Sequence, residues 1–402
     1  MTIKKIILLI SAFLVTGMVA GQTAFDYLLK AKALISSGKP DQAIEVLTSA
    51  IEKQKESKLY TARAEAFVSK GDYSSAISDC NAANTLRENS GEYGLSRIYA
   101  MKGDAGTSLY HLERSMKSSF KKSEKEILPD PAFGRIENRP EWRQFWKKEW
   151  YSDPEKSISE IEYYVSSGNK EEAERIIKEL GRNYPDIAEI KFARALIDLS
   201  ANKYNEAIRT LSGLLITDPD NEKYLRAIAG AQTGASNASG ASLTYSKLIS
   251  LDIPDARLLL DRALCFRKTG ENDKALADIE KYLSVYPGDK SALSLAGKTE
   301  SAAGNNLKAL EYFSENLKLH PDDASCYADR ANSYLISRSW DWAVKDYSMS
   351  LDLVPGNSDV WLNKGIALIS SGKVDDGCHD LRMSLSLGNK RSTEYISKYC
   401  IK

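Results

Sequence analysis

The feature that most constrains the fold is a small residue that recurs every 34 positions. The series runs Ala173, Ala207, Ala241, Ala275, Ala309, Ala343 and Gly377. Twelve residues before each member lies a second series, which is small in six cases of seven: Ile161, Ala195, Ala229, Ala263, Gly297, Ala331 and Gly365. A fixed period of this length is typical of a repeat architecture. Two small residues per unit predict two helices that pack closely.

Turn and stop residues divide each unit. Between the two series, most positions hold residues that close a helix and turn the chain: Gly168, Asn202, Ser236, Gly270, Gly304, Arg338 and Gly372. Six units then end in a proline, which cannot continue a helix: Pro185, Pro219, Pro254, Pro287, Pro321 and Pro355. Because neither helix of such a unit can bury its apolar stripe alone, the units are predicted to stack.

This pattern resembles the tetratricopeptide repeat (TPR) family, whose units place aromatic, small and large apolar residues and a proline at set positions. One unit carries Tyr327, Ala331, Tyr334, Ala343, Tyr347 and Pro355, and the last full unit carries Trp361, Gly365 and Leu381. The resemblance implies an all-α solenoid of helix-turn-helix repeats that forms a right-handed superhelix. Seven units are predicted in a main array over 154–388.

A weaker set of repeats lies upstream. Its small residues recur at a period slightly shorter than that of the main array, first as Ala31, Gly38 and Ala43, then as Ala64, Gly71 and Ala76, and last as Ser96, Gly103 and Ser108. We predict an N-terminal TPR block over 22–118 with two to three repeats, the third degenerate. Residues 119–153 are predicted to form a joint with a short helix at 141–150, and residues 389–402 a capping helix.

The first residues are typical of a secretory signal peptide. Lys4 and Lys5 precede an apolar run, and small residues follow up to Gly21. We expect residues 1–21 to be removed, a mature chain from Gln22, and a periplasmic or secreted, outer-membrane-associated location. The alternative is a retained anchor, although the run is shorter than the roughly 20 residues that a spanning helix needs. No transmembrane segment is predicted after cleavage.

The sequence gives little support for catalysis. A formal charge of zero argues against nucleic acid as a partner, and His111, His320 and His379 are too scattered for a metal site. Short Ser/Gly/Lys motifs at 36–39, 268–270 and 370–373 lie in predicted turns, so a hydrolase would need its groups brought together from separate turns. We predict a scaffold without enzymatic activity, cofactor or metal.

One ionic pairing repeats at a constant separation along the chain. It joins Arg63 to Asp79, Arg262 to Asp278, Arg330 to Asp346 and Lys364 to Asp380. We expect each pair to link the two helices of one unit. If exposed, such a pair contributes about 1 kcal/mol or less.

Function is then expected on the concave groove that stacked first helices form. The groove-facing positions implied by the family give a basic run of Lys223, Arg226, Arg257, Arg267, Lys268 and Lys298, with Asn332 as a partial match to a carboxylate-binding set. They also give an acidic end with Glu155, Glu162 and Glu189 and an apolar end with Leu335, Ile336, Leu362, Ile366 and Ile369. We expect a protein or peptide partner, with an acidic segment on the basic run; an ordinary solvated face of mixed charge is the alternative.

Two further sets leave alternatives open. Trp142, Trp146 and Trp150 form either a hydrophobic cap at the joint or an exposed platform for a glycan or another nutrient. Cys378 and Cys400 lie at nearly equal separations before and after the turn at Gly388, so an antiparallel last helix would bring them level. They then form either a disulfide or two reduced thiols.

Overall fold

The structure, a computed structural model, describes residues 23–400, and every regular element among them is helical. The predicted all-α solenoid is confirmed. The predicted signal peptide lies outside the described residues. The N-terminal block contains three helix pairs: α1 (Ala24–Ser36) with α2 (Pro40–Lys53), α3 (Ser57–Lys70) with α4 (Tyr73–Leu86), and α5 (Glu92–Met101) with α6 (Ala105–Met116).

The joint contains α7 (Glu124–Ile127), a 3-10 turn (Pro131–Phe133) and α8 (Pro140–Phe145). Seven pairs follow in the main array: α9 (Asp153–Ser166) with α10 (Lys170–Asn183), α11 (Ala188–Ser200) with α12 (Tyr204–Thr217), α13 (Glu222–Gly234) with α14 (Ala238–Ser250), α15 (Arg257–Lys268) with α16 (Asn272–Leu283), α17 (Lys290–Ala302) with α18 (Asn306–Leu319), α19 (Ala324–Ile336) with α20 (Trp340–Leu353), and α21 (Ser358–Ser370) with α22 (Val374–Ser386). A last helix, α23 (Ser392–Tyr399), packs on α22.

The small residues lie where the two helices of a unit cross. A Cβ atom added to Gly365 would stand 2.9 Å from the carbonyl oxygen of Gly377, so the two backbones approach too closely for any side chain. The turn between the helices requires a left-handed residue, and Gly372 supplies it with φ of +87°. Small residues therefore recur in every unit because two helices must approach closely, and turn residues recur because the chain must adopt a left-handed conformation between them.

Ala275 offers a test of this packing. The Ala275 side chain is fully buried between the helices of its unit. We expect Ala275→Phe to overpack the crossing and to lower the free energy of unfolding by roughly 1–3 kcal/mol in a urea titration followed by circular dichroism. Ala277→Phe on the same helix is the control, because Ala277 is exposed. Equal midpoints for the two variants would contradict the packing role.

The joint differs from its prediction. Its last helix ends at Phe145 rather than continuing to residue 150, and the chain then turns. The Trp150 indole N–H donates to the carbonyl of Phe145 at 2.9 Å, which folds the segment back on itself. The joint packs against α5 and α6 and closes the end of the N-terminal block.

The two arrays also touch directly, which the repeat pattern did not predict. Phe25 and Leu29 of α1 are buried against Ala256 and Leu259 of the main array. Asp252, in the loop before α15, accepts hydrogen bonds from the Phe25 backbone N–H at 2.9 Å and from the Lys58 ammonium at 2.5 Å.

Further polar contacts reinforce this docking. Lys281 of α16 contacts the Asp26 carboxylate, and Lys32 donates to the carbonyl of Pro254 at 3.0 Å. The first helix of the N-terminal block is thus anchored to the middle of the main array, and the chain closes on itself.

Cys378 and Cys400 lie side by side at the end of the chain. Their Cα atoms are 5.6 Å apart, and the structure joins them by a disulfide between α22 and the residue after α23. The other cysteines, Cys80, Cys265 and Cys326, are buried thiols in separate units.

The disulfide remains a prediction for the protein in its own compartment. We expect peptide mapping under non-reducing conditions to recover the two cysteines in one linked peptide. Removing the bond should lower the free energy of unfolding by about 3 kcal/mol, because it closes a short loop in the unfolded chain. Free thiol at both positions in protein from its native compartment would reject the bond but not the helical cap.

Candidate functional site

The repeating ionic pairs are structural, as predicted, and their carboxylates are buried. Arg262 donates to both oxygens of Asp278 at 2.7 Å each and to the Ser246 hydroxyl of the preceding unit at 3.0 Å. Asp278 is only 5% exposed. The pair therefore holds two helices of one unit and links that unit to its neighbour. The predicted link between the two helices of one unit is confirmed, and the small value expected for an exposed pair does not apply because the carboxylate is buried.

The same geometry recurs in the other units. Arg63 donates to both oxygens of Asp79 at 2.8 Å and to the Thr48 hydroxyl at 3.0 Å. The hydrogen bonds to the Asp79 carboxylate raise the pKa of the Arg63 guanidinium. Arg330 and Asp346 repeat the double hydrogen bond, and Lys364 lies 3.3 Å from Asp380. None of these groups is free to act on a partner.

Most cations of the predicted basic run also have carboxylate partners. Arg226 bonds Glu222 at 2.8 Å and Asp255 at 2.9 Å. In the same way Arg257 bonds Asp261 at 3.2 Å, Lys298 bonds Asp329 at 2.9 Å and Lys223 stands 4.0 Å from Glu162. The acidic partners come mostly from positions that the groove prediction did not include. The surface is therefore one of mixed charge.

The remaining predicted groove residues differ in their accessibility. Lys268 is exposed, and the half-buried Arg267 has a pKa that burial lowers. The Asn332 side-chain oxygen accepts hydrogen bonds from Tyr347 at 2.7 Å and from Asn363 at 3.2 Å.

In the apolar end, Ile336 is exposed, whereas Leu335, Ile366 and Ile369 are half-buried. Leu362 is fully buried, so its assignment to the groove surface is wrong; it belongs to the core of its unit.

The acidic end of the groove faces the joint. Lys121 bonds Glu155 at 2.6 Å. Lys125 donates to the carbonyl of Ser159 at 2.6 Å and stands 3.9 Å from Glu162. The joint thus lies over the first unit of the main array and neutralises two of its three predicted groove carboxylates.

Between the joint and the main array lies the first cleft, of about 640 Å³. Its floor holds Ile158, Phe192 and Tyr224 from the first helices of three successive units, with the Phe192 and Tyr224 ring centroids 5.1 Å apart. Leu128 and Tyr151 of the joint line the opposite side. We call this space the array cleft.

A second cleft of about 980 Å³ lies on the other side of the joint. One wall is α3 of the N-terminal block, with Lys58, Glu65 and Val68, and the other is the joint together with the loop 251–254. Lys121 and Lys122 line both clefts and therefore separate them. We call this space the block cleft.

The block cleft was not predicted from the sequence. Applying the family's groove positions to the N-terminal units as well would have selected Lys58, Thr61, Glu65 and Val68, all of which line it. The residues contributed by the joint and by the loop 251–254 have no such signature, because they meet α3 only through the docking of the two arrays.

The three tryptophans belong to a core. Trp142 is 6% exposed, Trp146 and Trp150 are half-buried, and all three pack with Phe133 and Phe145. The Phe145 and Trp150 rings stack with their centroids 4.4 Å apart. The structure therefore favours the cap over an exposed stacking platform.

Within residues 23–400, no group of three or more His, Cys, Asp or Glu side chains is placed to hold a metal ion. No helix over the same residues is both long enough and apolar enough to cross a bilayer. His111 instead bonds the buried Glu92 at 2.7 Å, and His320 contacts the carbonyl of Gly288 at 3.1 Å.

Sequence models of one family match a segment in each array. Two models described as tetratricopeptide repeat match residues 28–91 and 257–289. The chain is a tetratricopeptide repeat protein. A comparison with curated proteins gives no match.

Solved structures of other TPR proteins are similar to this TPR protein at low identity. A tetratricopeptide repeat protein from Parabacteroides merdae is 20% identical, with a TM-score of 0.49 over 61% of this chain and 98% of its own. The APC/C hetero-tetramer Cut9-Hcn1 is 15% identical, with a TM-score of 0.43 over 94% of this chain and 90% of its own. YrrB, described as a TPR protein with an unusual peptide-binding site, is 14% identical, with a TM-score of 0.37 over 47% and 97%. At these values the likeness carries no argument about function.

Proposed function

We propose that this TPR protein is a non-catalytic scaffold in the bacterial envelope that binds a segment of a partner protein in the array cleft. The proposal rests on one observation: two parts of the chain, the main array and the joint, together form that cleft. Apolar and aromatic residues of three first helices form the floor, and the joint closes the opposite side. A cleft with apolar walls and a charged rim suits a peptide side chain.

Export is a separate part of this proposal. It rests on the lysines, the apolar run and the small residues within 1–21. N-terminal sequencing of protein from the periplasmic fraction tests it, and we expect the sequence to begin at Gln22. A chain that retains Met1 and stays with the membrane would reject cleavage.

The binding site is tested by a substitution at the cleft wall. Leu128 lines the array cleft and is 47% exposed, so Leu128→Glu should place a charge in the cleft without disturbing a core. We expect the wild-type protein to capture one stoichiometric partner from an envelope extract and Leu128→Glu to lose it.

The matched control is Leu319→Glu, because Leu319 is 48% exposed and lies at the end of α18, outside both clefts. Capture of the same partner by all three proteins would contradict binding in the array cleft. Circular dichroism and a thermal melt of each variant show whether a lost partner reflects lost folding.

The basic run provides a second comparison. Reversing Arg226, Arg257 and Lys298 to glutamate tests whether an acidic segment binds there. Because each of these cations already has a carboxylate partner, we expect a smaller loss of binding than for Leu128→Glu. A complete loss in the reversed variant, with Leu128→Glu unaffected, would move the site to the basic run.

A further inference from the structure

The block cleft resembles a binding site that is complete only when the N-terminal block docks on the main array. Thr61, Glu65 and Val68 stand at the groove positions of α3. Ile253 and Pro254 of the main array and Phe120 of the joint close the space opposite them. Its volume of about 980 Å³ accommodates several side chains of an extended segment.

Most cations that line the block cleft are bonded to carboxylates. Lys58 contacts Glu56 at 3.2 Å and Asp252 at 2.5 Å. The same holds for three others, since Arg97 bonds Asp130 at 2.8 Å, Lys121 bonds Glu155 at 2.6 Å and Lys122 bonds Glu126 at 3.0 Å. Of the remaining two, Arg87 lies over the Phe120 ring at 4.6 Å and Lys55 is exposed. The cleft therefore offers few free cations for an anionic ligand.

Glu65 is the exception among the carboxylates. Its side chain is open to water within the cleft, yet it makes no hydrogen bond or ion pair with any residue in the described range. Protein surrounds it closely enough that burial raises the pKa of its carboxyl group.

The charged groups that act on Glu65 are already engaged. Arg97 and Asp130 bond each other, Lys122 bonds Glu126, and Lys32 donates to the carbonyl of Pro254. Glu65 is thus a water-accessible carboxylate that lines the cleft and has no counter-charge of its own among the described residues.

We propose that the block cleft binds an extended peptide segment through a lysine or arginine side chain whose cation pairs with Glu65. The inference rests on the proposed function and names the chemistry of the partner, which is basic rather than acidic. A hydrogen bond between two ionised groups is shorter and roughly twice as strong as one between neutral groups. The apolar residues Val68, Ile253 and Pro254 would contact the stem of the cationic side chain.

Two labelled hexapeptides that differ only in having lysine or glutamate at two positions test this proposal by fluorescence anisotropy. We expect the lysine peptide to bind and the glutamate peptide not to bind. Glu65→Gln should weaken binding of the lysine peptide by roughly tenfold or more, because it removes the only unpaired carboxylate that the described residues place in this cleft. Glu65→Lys should reverse the preference toward the glutamate peptide, which a merely structural role of Glu65 would not do.

The control is Glu174→Gln, since Glu174 is exposed on α10, outside both clefts, and has no ion pair within residues 23–400. Its affinity for the lysine peptide should equal that of the wild-type protein. Failure of the lysine peptide to bind, equal or tighter binding of the glutamate peptide, or an unchanged affinity in Glu65→Gln would each overturn the proposal.

The two proposals fail separately. If the lysine peptide fails to bind or binds independently of Glu65, and Leu128→Glu loses the envelope partner, the cationic pairing is wrong and the proposed function stands. If the lysine peptide depends on Glu65 but Leu128→Glu captures the partner normally, the block cleft remains a site and the array cleft is wrong as the partner's site.

Discussion

Replacing Arg262 with alanine should destabilise the protein strongly. The substitution removes two hydrogen bonds to Asp278 and one to Ser246, and it leaves a carboxylate that is only 5% exposed without its counter-charge. Breaking a buried pair in this way costs about 3–5 kcal/mol, and we expect about 3 kcal/mol because the arginine side chain is partly exposed. Urea unfolding followed by circular dichroism at equilibrium measures the change.

Arg257→Ala is the matched control on the same helix. The Arg257 side chain is 67% exposed, and its bond to Asp261 lies on the surface one turn away. Such a pair contributes about 0.3–0.5 kcal/mol. If both variants unfold at the same urea concentration, the buried pair does not carry the stability assigned to it.

Removing the docking side chains of α1 should open the molecule. Phe25 and Leu29 are almost fully buried, and they pack against Ala256 and Leu259. Truncating a buried Phe or Leu typically costs about 2–5 kcal/mol. The double variant Phe25→Ala, Leu29→Ala should therefore release the N-terminal block from the main array while the helix pairs of each array persist.

Small-angle X-ray scattering detects this opening as a larger radius of gyration, while circular dichroism reports the helix content. The control is Lys30→Ala, which alters an exposed position of the same helix and should leave the radius unchanged. An unchanged radius in the double variant would show that the polar contacts of Asp252 hold the arrays together without the apolar ones.

Opening should also affect the block cleft, since the loop 251–254 forms part of its wall. The double variant should then lose affinity for the lysine peptide even though Glu65 is intact. This result would link the docking of the arrays to the binding site that the docking completes.

Several elements could be predicted from the sequence because their causes are local or periodic. Gly365 and Gly377 belong to the two helices of one unit, and these helices must approach closely. Arg262 and Asp278 also belong to one unit, so the helix-turn-helix geometry alone brings them together. Cys378 and Cys400 follow from two antiparallel segments of nearly equal length around Gly388.

The charge of the predicted basic run could not be predicted from groove positions alone. The groove positions identified Arg226 and Arg257 correctly as residues of first helices, but they said nothing about the carboxylates that face them. Asp255 lies in a loop between units, and Asp261 is one turn away from Arg257 at a position not assigned to the groove. The charge of a groove depends on all the side chains that meet there.

The sequence by itself determined the helix pairs, their turns and the bonds within each unit, because a fixed repeat period poses the same local packing problem in every unit. Only the tertiary structure decided that the chain closes on itself and creates two clefts. Phe25 and Asp252 are 227 residues apart, and their contact depends on the accumulated rotation of the intervening units and on the path of the joint. Small angular differences between units add up along a solenoid, so no local pattern fixes which distant surfaces meet.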